Sequence, residues 1–245
     1  MSDPLAHPAN ARDIASAAPG LVPGVYVRSD APAPGDEAPP GVAWPPATVY
    51  DLRDPAESSG PHALDDVAAV HRVQILADAA LAELVSKPGA TTLAAMYAQM
   101  ISGPGAVGFA EVVRGIATEA TPVMVHCSAG KDRAGVTAAL VLALVGAPRE
   151  DIVADYTATA ANMPGVMARF LRAMSPEMRA AMEQASLAGG DQVAPPTTDL
   201  LDAPAVAIES VLDAWDSFEG GVEGWYLAHG GDTETLAALR ARLVA

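Results

Sequence analysis

One stretch gathers residue types that could do chemistry together: His126-Cys127-Ser128-Ala129-Gly130-Lys131-Asp132-Arg133-Ala134-Gly135. Cys127 is the only cysteine in the chain, and Arg133 follows it six positions later. A thiolate is a strong nucleophile, and a guanidinium can fork onto two oxygens of a phosphate in a way that lysine cannot match. Asp132 is the nearest acid able to protonate a leaving oxygen. The set suits attack of sulfur on a phosphate ester. Cys127 would be the nucleophile, Arg133 the phosphate clamp and Asp132 the proton donor. Ser128, Ala129, Gly130, Lys131, Ala134 and Gly135 would surround the phosphate, with Lys131 adding a second positive charge at the mouth. Gly130 and Gly135 permit a tight curl and close backbone approach.

Such a loop needs elements that aim it. The apolar run 122–125 reads as a strand entering it, and 136–145 reads as a buried helix leaving it. A strand, a short loop and a helix N-terminus make an anion site, because the loop amides and the first unpaired amides of the helix can converge on one phosphate. The same amides, the helix dipole and Arg133 favour a thiolate over a thiol. A Walker A loop is excluded: Gly130-Lys131 lacks the upstream glycine and is followed by Asp132, not Ser or Thr. One cysteine and five scattered histidines give no zinc-site spacing, so neither a metal nor another cofactor is expected.

Composition bounds the rest. At 245 residues the chain is read as one domain, 1–245, with enough length for a large core. Its formal charge is −16, which excludes nucleic acid as a partner and argues against an anionic membrane surface. An anionic substrate must be attracted locally, by a few of the fourteen basic residues. The longest apolar stretch is roughly half of the ~20 residues that a membrane span needs. No signal segment is visible at the start. The expectation is a soluble, cytoplasmic protein without stable membrane insertion. The sequence carries no signal for oligomeric state.

In chain order, strands are expected over 22–29, 48–53 and 67–76, with a proline-rich loop over 30–47. Helices are expected over 79–85, 92–101, 109–119, 149–161, 206–218 and 233–244. Thr91 or Thr92 would cap the second of these. Met163, Val166, Met167, Phe170, Leu171 and Met174 form a helical apolar stripe, and 175–186 restarts a helix at Ser175-Pro176-Glu177. Residues 163–203 are either core or a helical lid with a loop insertion. Strands alternating with helices give an α/β domain around a short, largely parallel sheet flanked by helices.

Four residues outside the central acid–nucleophile–arginine set are read as supporting. Asp51 and Arg53 stand at the end of a strand, where α/β sites gather, and suit either a structural pair that braces the loop or a direct part in catalysis. His126 suits a buried hydrogen-bonding support. Asp78 is a second candidate acid. Arg12 and Arg28 default to surface charge.

The stretch from His126 to Arg133 closely resembles the signature loop of the bacterial tyrosine-phosphatase family that includes the secreted, lipid-active phosphatases of mycobacteria. Asn10-Ala11-Arg12-Asp13, Pro23-Gly24-Val25-Tyr26-Val27-Arg28-Ser29, Asp51-Leu52-Arg53 with Glu57, and Asp155-Tyr156 resemble its flanking motifs in the same order. The resemblance implies a protein-tyrosine-phosphatase-like fold and a cysteinyl-phosphate intermediate. It implies Cys127 as nucleophile, Arg133 as clamp and Asp132 as general acid. The expected substrate is phosphotyrosine in a protein, or another phosphomonoester such as a phosphorylated small molecule or lipid headgroup. A phosphoinositide phosphatase is the alternative, because Lys131 could take a second phosphate. The chain departs from the family at Ala134, where Ser or Thr is usual. That hydroxyl normally helps the sulfur leave as thiolate, so a phosphate-binding pseudophosphatase that does not turn over is a further alternative.

Overall fold

The computed structural model describes residues 3, 5–58, 60–75, 92–175, 177, 180, 184 and 202–245. The expected helix at 79–85, the second acid Asp78 and nearly all of the stretch 175–201 lie outside these residues. Five strands form one sheet: β1 (Arg12–Asp13), β2 (Tyr26–Ser29), β3 (Thr48–Asp51), β4 (Ala69–Arg72) and β5 (Val123–His126). Their spatial order is β1-β2-β5-β3-β4. Only the β1–β2 pair is antiparallel. The α-helices bounded by described residues are α1 (Leu93–Ser102), α2 (Gly105–Thr118), α3 (Arg133–Leu144), α4 (Arg149–Ala173), α5 (Ala205–Asp216), α6 (Gly221–Ala228) and α7 (Thr233–Leu243). The expected α/β class with a short, mostly parallel sheet is the observed one.

Alternation along the strands builds two cores. Tyr26, Tyr50, Val123 and Val125 face the helices, and Val27, Val49 and Met124 face the other way. The second face is covered by Leu64 with Val42 and Trp44. The proline-rich loop therefore acts as a lid on the sheet. Burial on both faces explains why β5 reads as a nearly continuous apolar run.

Strand β5 lies at the centre, with Ser29 of β2 and Asp51 of β3 both in register with His126. The three carboxyl ends are thus level, and the loop that follows β5 emerges between the segments that follow β2 and β3. Ligands of open parallel sheets bind at this edge. Helix α3 leaves the loop and runs through the helix layer. Ten of its residues are buried, as an all-round apolar sequence requires. Thr92 caps α1 by accepting from the amide of Ala95.

Two expectations shift. The stripe at 163–174 does not start a new helix: α4 continues to Ala173 with Pro164 inside it. Met163 and Val166 are buried, whereas Phe170 is 54% exposed. Helix α6 and strand β1 were not legible. The first opens on Gly220 and Gly221, both in the left-handed region, and so reads as a breaker; the second is two residues long.

Candidate active site

The loop between β5 and α3 is held by its carbonyls. Ser128 O accepts from the amide of Ala31 at 3.2 Å, and Ala129 O accepts from Asn10 Nδ2 at 3.0 Å. Gly130 O accepts from Arg28 Nε at 2.9 Å and Lys131 O from Arg28 Nη2 at 3.2 Å. Four successive carbonyls are tied to the surrounding protein. Among the described residues no acceptor takes the amides of Ser128, Ala129, Gly130 or Asp132. Successive unpaired amides at a helix N-terminus form a nest for an anion.

Arg28 is the main anchor. It is fully buried on β2, and its Nη1 lies 2.5 Å from Asp155 Oδ2 on α4. Arg12 Nε completes the triad at 2.7 Å from Asp155 Oδ1. Burial works to raise the Asp155 carboxyl, but Arg28 and Arg12 outweigh it and hold the group below its ordinary range. These arginines are therefore not surface charge, as their types alone suggest; they brace the loop. Arg12 Nη1 also donates to Asn10 Oδ1 at 2.8 Å, which ties the first motif of the chain into the same network.

The two glycines have specific reasons. Gly130 has φ of +68°, and a Cβ there would sit 2.6 Å from the backbone of Ser29 and Asp30. A Cβ on Gly135 would meet Arg28 Nη2 at 2.7 Å, so any side chain would displace the anchor.

Cys127 is buried at the base of the loop. Arg133 begins α3 and points across the nest to Glu57. Its Nη2 donates to Glu57 Oε1 at 2.7 Å, and its Nη1 donates to Glu57 Oε2 and to Leu52 O. Ser128 Oγ donates to the same Glu57 Oε1 at 2.7 Å. One edge of the guanidinium is thus committed to Glu57, which fixes its plane. Arg133 Nε has no partner among the described residues, so the Nε–Nη2 edge is left for an anion. Burial raises the Glu57 carboxyl, but the hydrogen bonds and charge of Arg133 prevail and hold it at about 2. Glu57 was visible in the sequence only as part of the family-like stretch. Nothing in its spacing announced a partner for Arg133.

Asp132 takes the N-cap position of α3, yet its side chain makes no capping bond. Its Oδ1 instead accepts from Tyr97 Oη at 2.6 Å. Lys131 is corrected by the structure. It is 1% exposed, with Nζ donating to Asp202 O at 3.0 Å, and is not a charge at the mouth. Ala134 is buried. The next hydroxyl on the helix, Thr137 Oγ1, donates to Arg133 O at 2.8 Å.

The supporting residues lie behind the loop. Arg53 Nε and Nη2 grip both oxygens of Asp51 at 2.9 and 2.8 Å, the structural pair anticipated. His126 and His62 meet at 2.9 Å through their Nε2 atoms. Together with Asp51 they lie within metal-ligand reach of one another. Their protons are already assigned by their partners. The Leu64 amide donates to His62 Nδ1, so His62 carries its proton on Nε2 and gives it to His126 Nε2. His126 then donates from Nδ1 to Cys127 O. Both histidines are needed neutral, and burial lowers both, His126 to about 4.

Beside the loop runs a groove of about 930 Å³. Ser128, Ala129 and Arg53 form its inner end, and Met163, Val166 and Phe170 of α4 form one wall.

A mostly parallel α/β sheet with a strand–nest–helix anion loop at its carboxyl edge matches the protein-tyrosine-phosphatase-like fold. The model described as "Tyrosine phosphatase family" matches residues 4–245. The chain belongs to the tyrosine phosphatase family. It is similar to the triple specificity protein phosphatase PtpB of Mycobacterium tuberculosis, with 52% identity over 48 residues, 20% of this chain and 17% of that protein. It is also similar to a tyrosine-protein phosphatase of Nostoc commune, with 46% identity over 43 residues, 18% of this chain and 15% of that protein. Each match thus spans about a sixth of the relative.

Two predictions come from this geometry. Asp155→Ala leaves Arg28 buried without its carboxylate and will lower unfolding stability by about 3–5 kcal/mol. Asp213→Ala, which removes one of the two exposed carboxylate partners of Arg149, will cost about 0.5 kcal/mol or less. Urea midpoints of the two variants check the contrast. The second prediction concerns acid. The folded-state value of His126 lies below its ordinary 6.5, so the unfolded chain binds the proton first as pH falls. Stability from this group is full above about 6.5 and is lost toward pH 4, by about 3 kcal/mol. Denaturant titrations between pH 7 and pH 4 will show this slope, and it will flatten in His126→Asn.

Proposed function

We propose that the protein is a cysteine-dependent phosphatase acting on phosphotyrosine through a cysteinyl-phosphate intermediate. The observation that carries the reading is the loop itself: four outward-tied carbonyls, the amides of Ser128, Ala129, Gly130 and Asp132 with no acceptor among the described residues, and an arginine whose plane is fixed by Glu57. A phosphate seated in the nest accepts from those amides and from the Nε–Nη2 edge of Arg133. Cys127 sulfur attacks phosphorus in line as the ester oxygen departs. Asp132 gives that oxygen its proton. Water then attacks the phosphocysteine, releasing inorganic phosphate and restoring the thiolate. Positioned donors around the equatorial oxygens act through charge stabilisation that needs no reorganisation during the reaction. The groove beside Ser128 and Ala129 offers room for an aromatic leaving group and the chain that bears it. Aryl oxygens have a pKa near 10 and depend less on a strong acid than alkyl oxygens do.

Lys131 counts against the phosphoinositide alternative, since its ammonium is buried on the carbonyl of Asp202 and not offered to a second phosphate. Ala134 supports slow turnover. Thr137 is engaged with Arg133 O and supplies no substitute hydroxyl to the sulfur.

Steady hydrolysis of p-nitrophenyl phosphate that disappears in Cys127→Ser is the expected result. Hydrolysis surviving that substitution would overturn the mechanism. Ala134→Ser is expected to raise kcat about tenfold, a barrier lowered by ~1.4 kcal/mol, with little change in kcat/KM. A wild-type burst followed by no steady rate would identify a pseudophosphatase instead.

A further inference from the structure

Among the described residues, Asp132 makes its hydrogen bond and its ion contact through only one of its two oxygens. The partners of its carboxylate among those residues, Tyr97 Oη at 2.6 Å and Lys131 Nζ at 3.7 Å, both lie on Oδ1. Oδ2 has no hydrogen-bond partner among the described residues, and the side chain is one-quarter exposed. Tyr97 sits on α1, some thirty residues before the loop, and is fully buried. Its hydroxyl also lies 2.7 Å from the hydroxyl of Tyr156 on α4, with the two rings edge-to-face.

The proton count fixes the direction of this chain. A carboxylate can only accept, so Tyr97 spends its single proton on Asp132 Oδ1. The Tyr97 oxygen must then accept from Tyr156. The order is Tyr156 O–H to Tyr97 O–H to Asp132 Oδ1. If Asp132 is protonated, Tyr97 keeps Oδ1 as an acceptor, and the acid proton resides on Oδ2, the oxygen with no hydrogen-bond partner among the described residues.

We propose that Tyr97, backed by Tyr156, is a positioning residue that selects which oxygen of Asp132 delivers the proton to the leaving group. The proposal rests on the general-acid role given to Asp132 above. Three independent elements meet at this point: α1 supplies the donor, α4 supplies the second hydroxyl, and the N-terminus of α3 supplies the acid. Burial raises both tyrosines above their ordinary pKa, so both hydroxyls stay protonated donors at any pH where the enzyme works. Tyr156 also packs against Gly135 of α3, where a Cβ would meet its ring at 3.2 Å. The relay is thereby held in register with the loop that binds the phosphate. A buried Tyr-on-Asp bond made for stability alone would not need to leave Oδ2 bare.

The test compares kcat/KM for p-nitrophenyl phosphate, phenyl phosphate and phosphotyrosine in wild type, Tyr97→Phe, Tyr156→Phe, Asp132→Ala and Tyr97→Phe/Asp132→Ala. This ratio reports on cleavage of the ester bond and is insensitive to slow hydrolysis of the intermediate. Tyr97→Phe is expected to lose about tenfold on phenyl phosphate and phosphotyrosine, within the usual range for general acids, and several-fold less on p-nitrophenyl phosphate, whose leaving group needs less protonation. Tyr156→Phe is expected to show the same leaving-group trend at smaller amplitude. In the Asp132→Ala background, Tyr97→Phe is expected to cost nothing more. Equal losses on all three substrates, or losses that multiply with Asp132→Ala, would overturn the positioning role. A flat leaving-group response in Asp132→Ala itself would remove the general-acid assignment, and the inference with it. The two failures are therefore distinguishable. Urea midpoints of the two Tyr→Phe variants separate a folding defect, which lowers active concentration equally for every substrate, from the leaving-group trend.

Discussion

The buried ion pair between Arg28 and Asp155 is the interaction on which the site depends. It joins the strand beside the central strand to the long helix α4, and it places one guanidinium under two carbonyls of the loop. A peptide unit has a donor and an acceptor on opposite sides. Fixing the carbonyl outward therefore sends the amide inward. The protein builds an anion nest by anchoring the wrong side of the loop. Taking a charge out of water costs several kcal/mol, and Arg28 is tolerated only because Asp155, Thr159 and the loop satisfy it. The same logic explains Gly135, which leaves the space that the guanidinium fills.

A chain of net charge −16 must concentrate positive potential where an anion is to bind. It does so with few free cations. Lys131, Arg12 and Arg28 are spent inside the structure, and Arg133 shares its charge with Glu57. What remains for a phosphate is directional: backbone amides, the dipole of α3 and one edge of a held guanidinium. Such a site gains from geometry more than from net charge. The Asp132 carboxylate is treated in the same way, since it is oriented by a hydroxyl and not by a counter-charge alone.

Much of this was legible in the sequence because it is local. The strand, the loop and the buried helix α3 follow from an apolar run, two glycines and a second apolar run. Cys127, Asp132 and Arg133 lie within seven residues. The Asp51–Arg53 pair and the buried role of His126 were legible for the same reason: both sit on strand ends whose pattern is short-range. What escaped was long-range pairing. Arg28 alternates on a strand like a surface residue, and only the fold brings Asp155 to it. Lys131 looks like a charge at the mouth until the segment at Asp202 is seen to cover it. Glu57 and Tyr97 are separated from their partners by 76 and 35 residues, and neither type nor spacing reveals the contact. The break expected after 161 did not occur, because α4 carries Pro164 within a helix that is held by packing at Met163 and Val166.

The central claim is that Cys127 carries the phosphoryl group during the reaction. Mixing the enzyme with excess p-nitrophenyl phosphate, quenching in acid and mapping the modified peptide by mass spectrometry tests it directly. A phosphate adduct on the peptide containing Cys127, formed at the rate of the first turnover and absent in Cys127→Ser, is the predicted result. Product release by the wild type with no adduct on Cys127 at any quench time, together with turnover in Cys127→Ser, would contradict it.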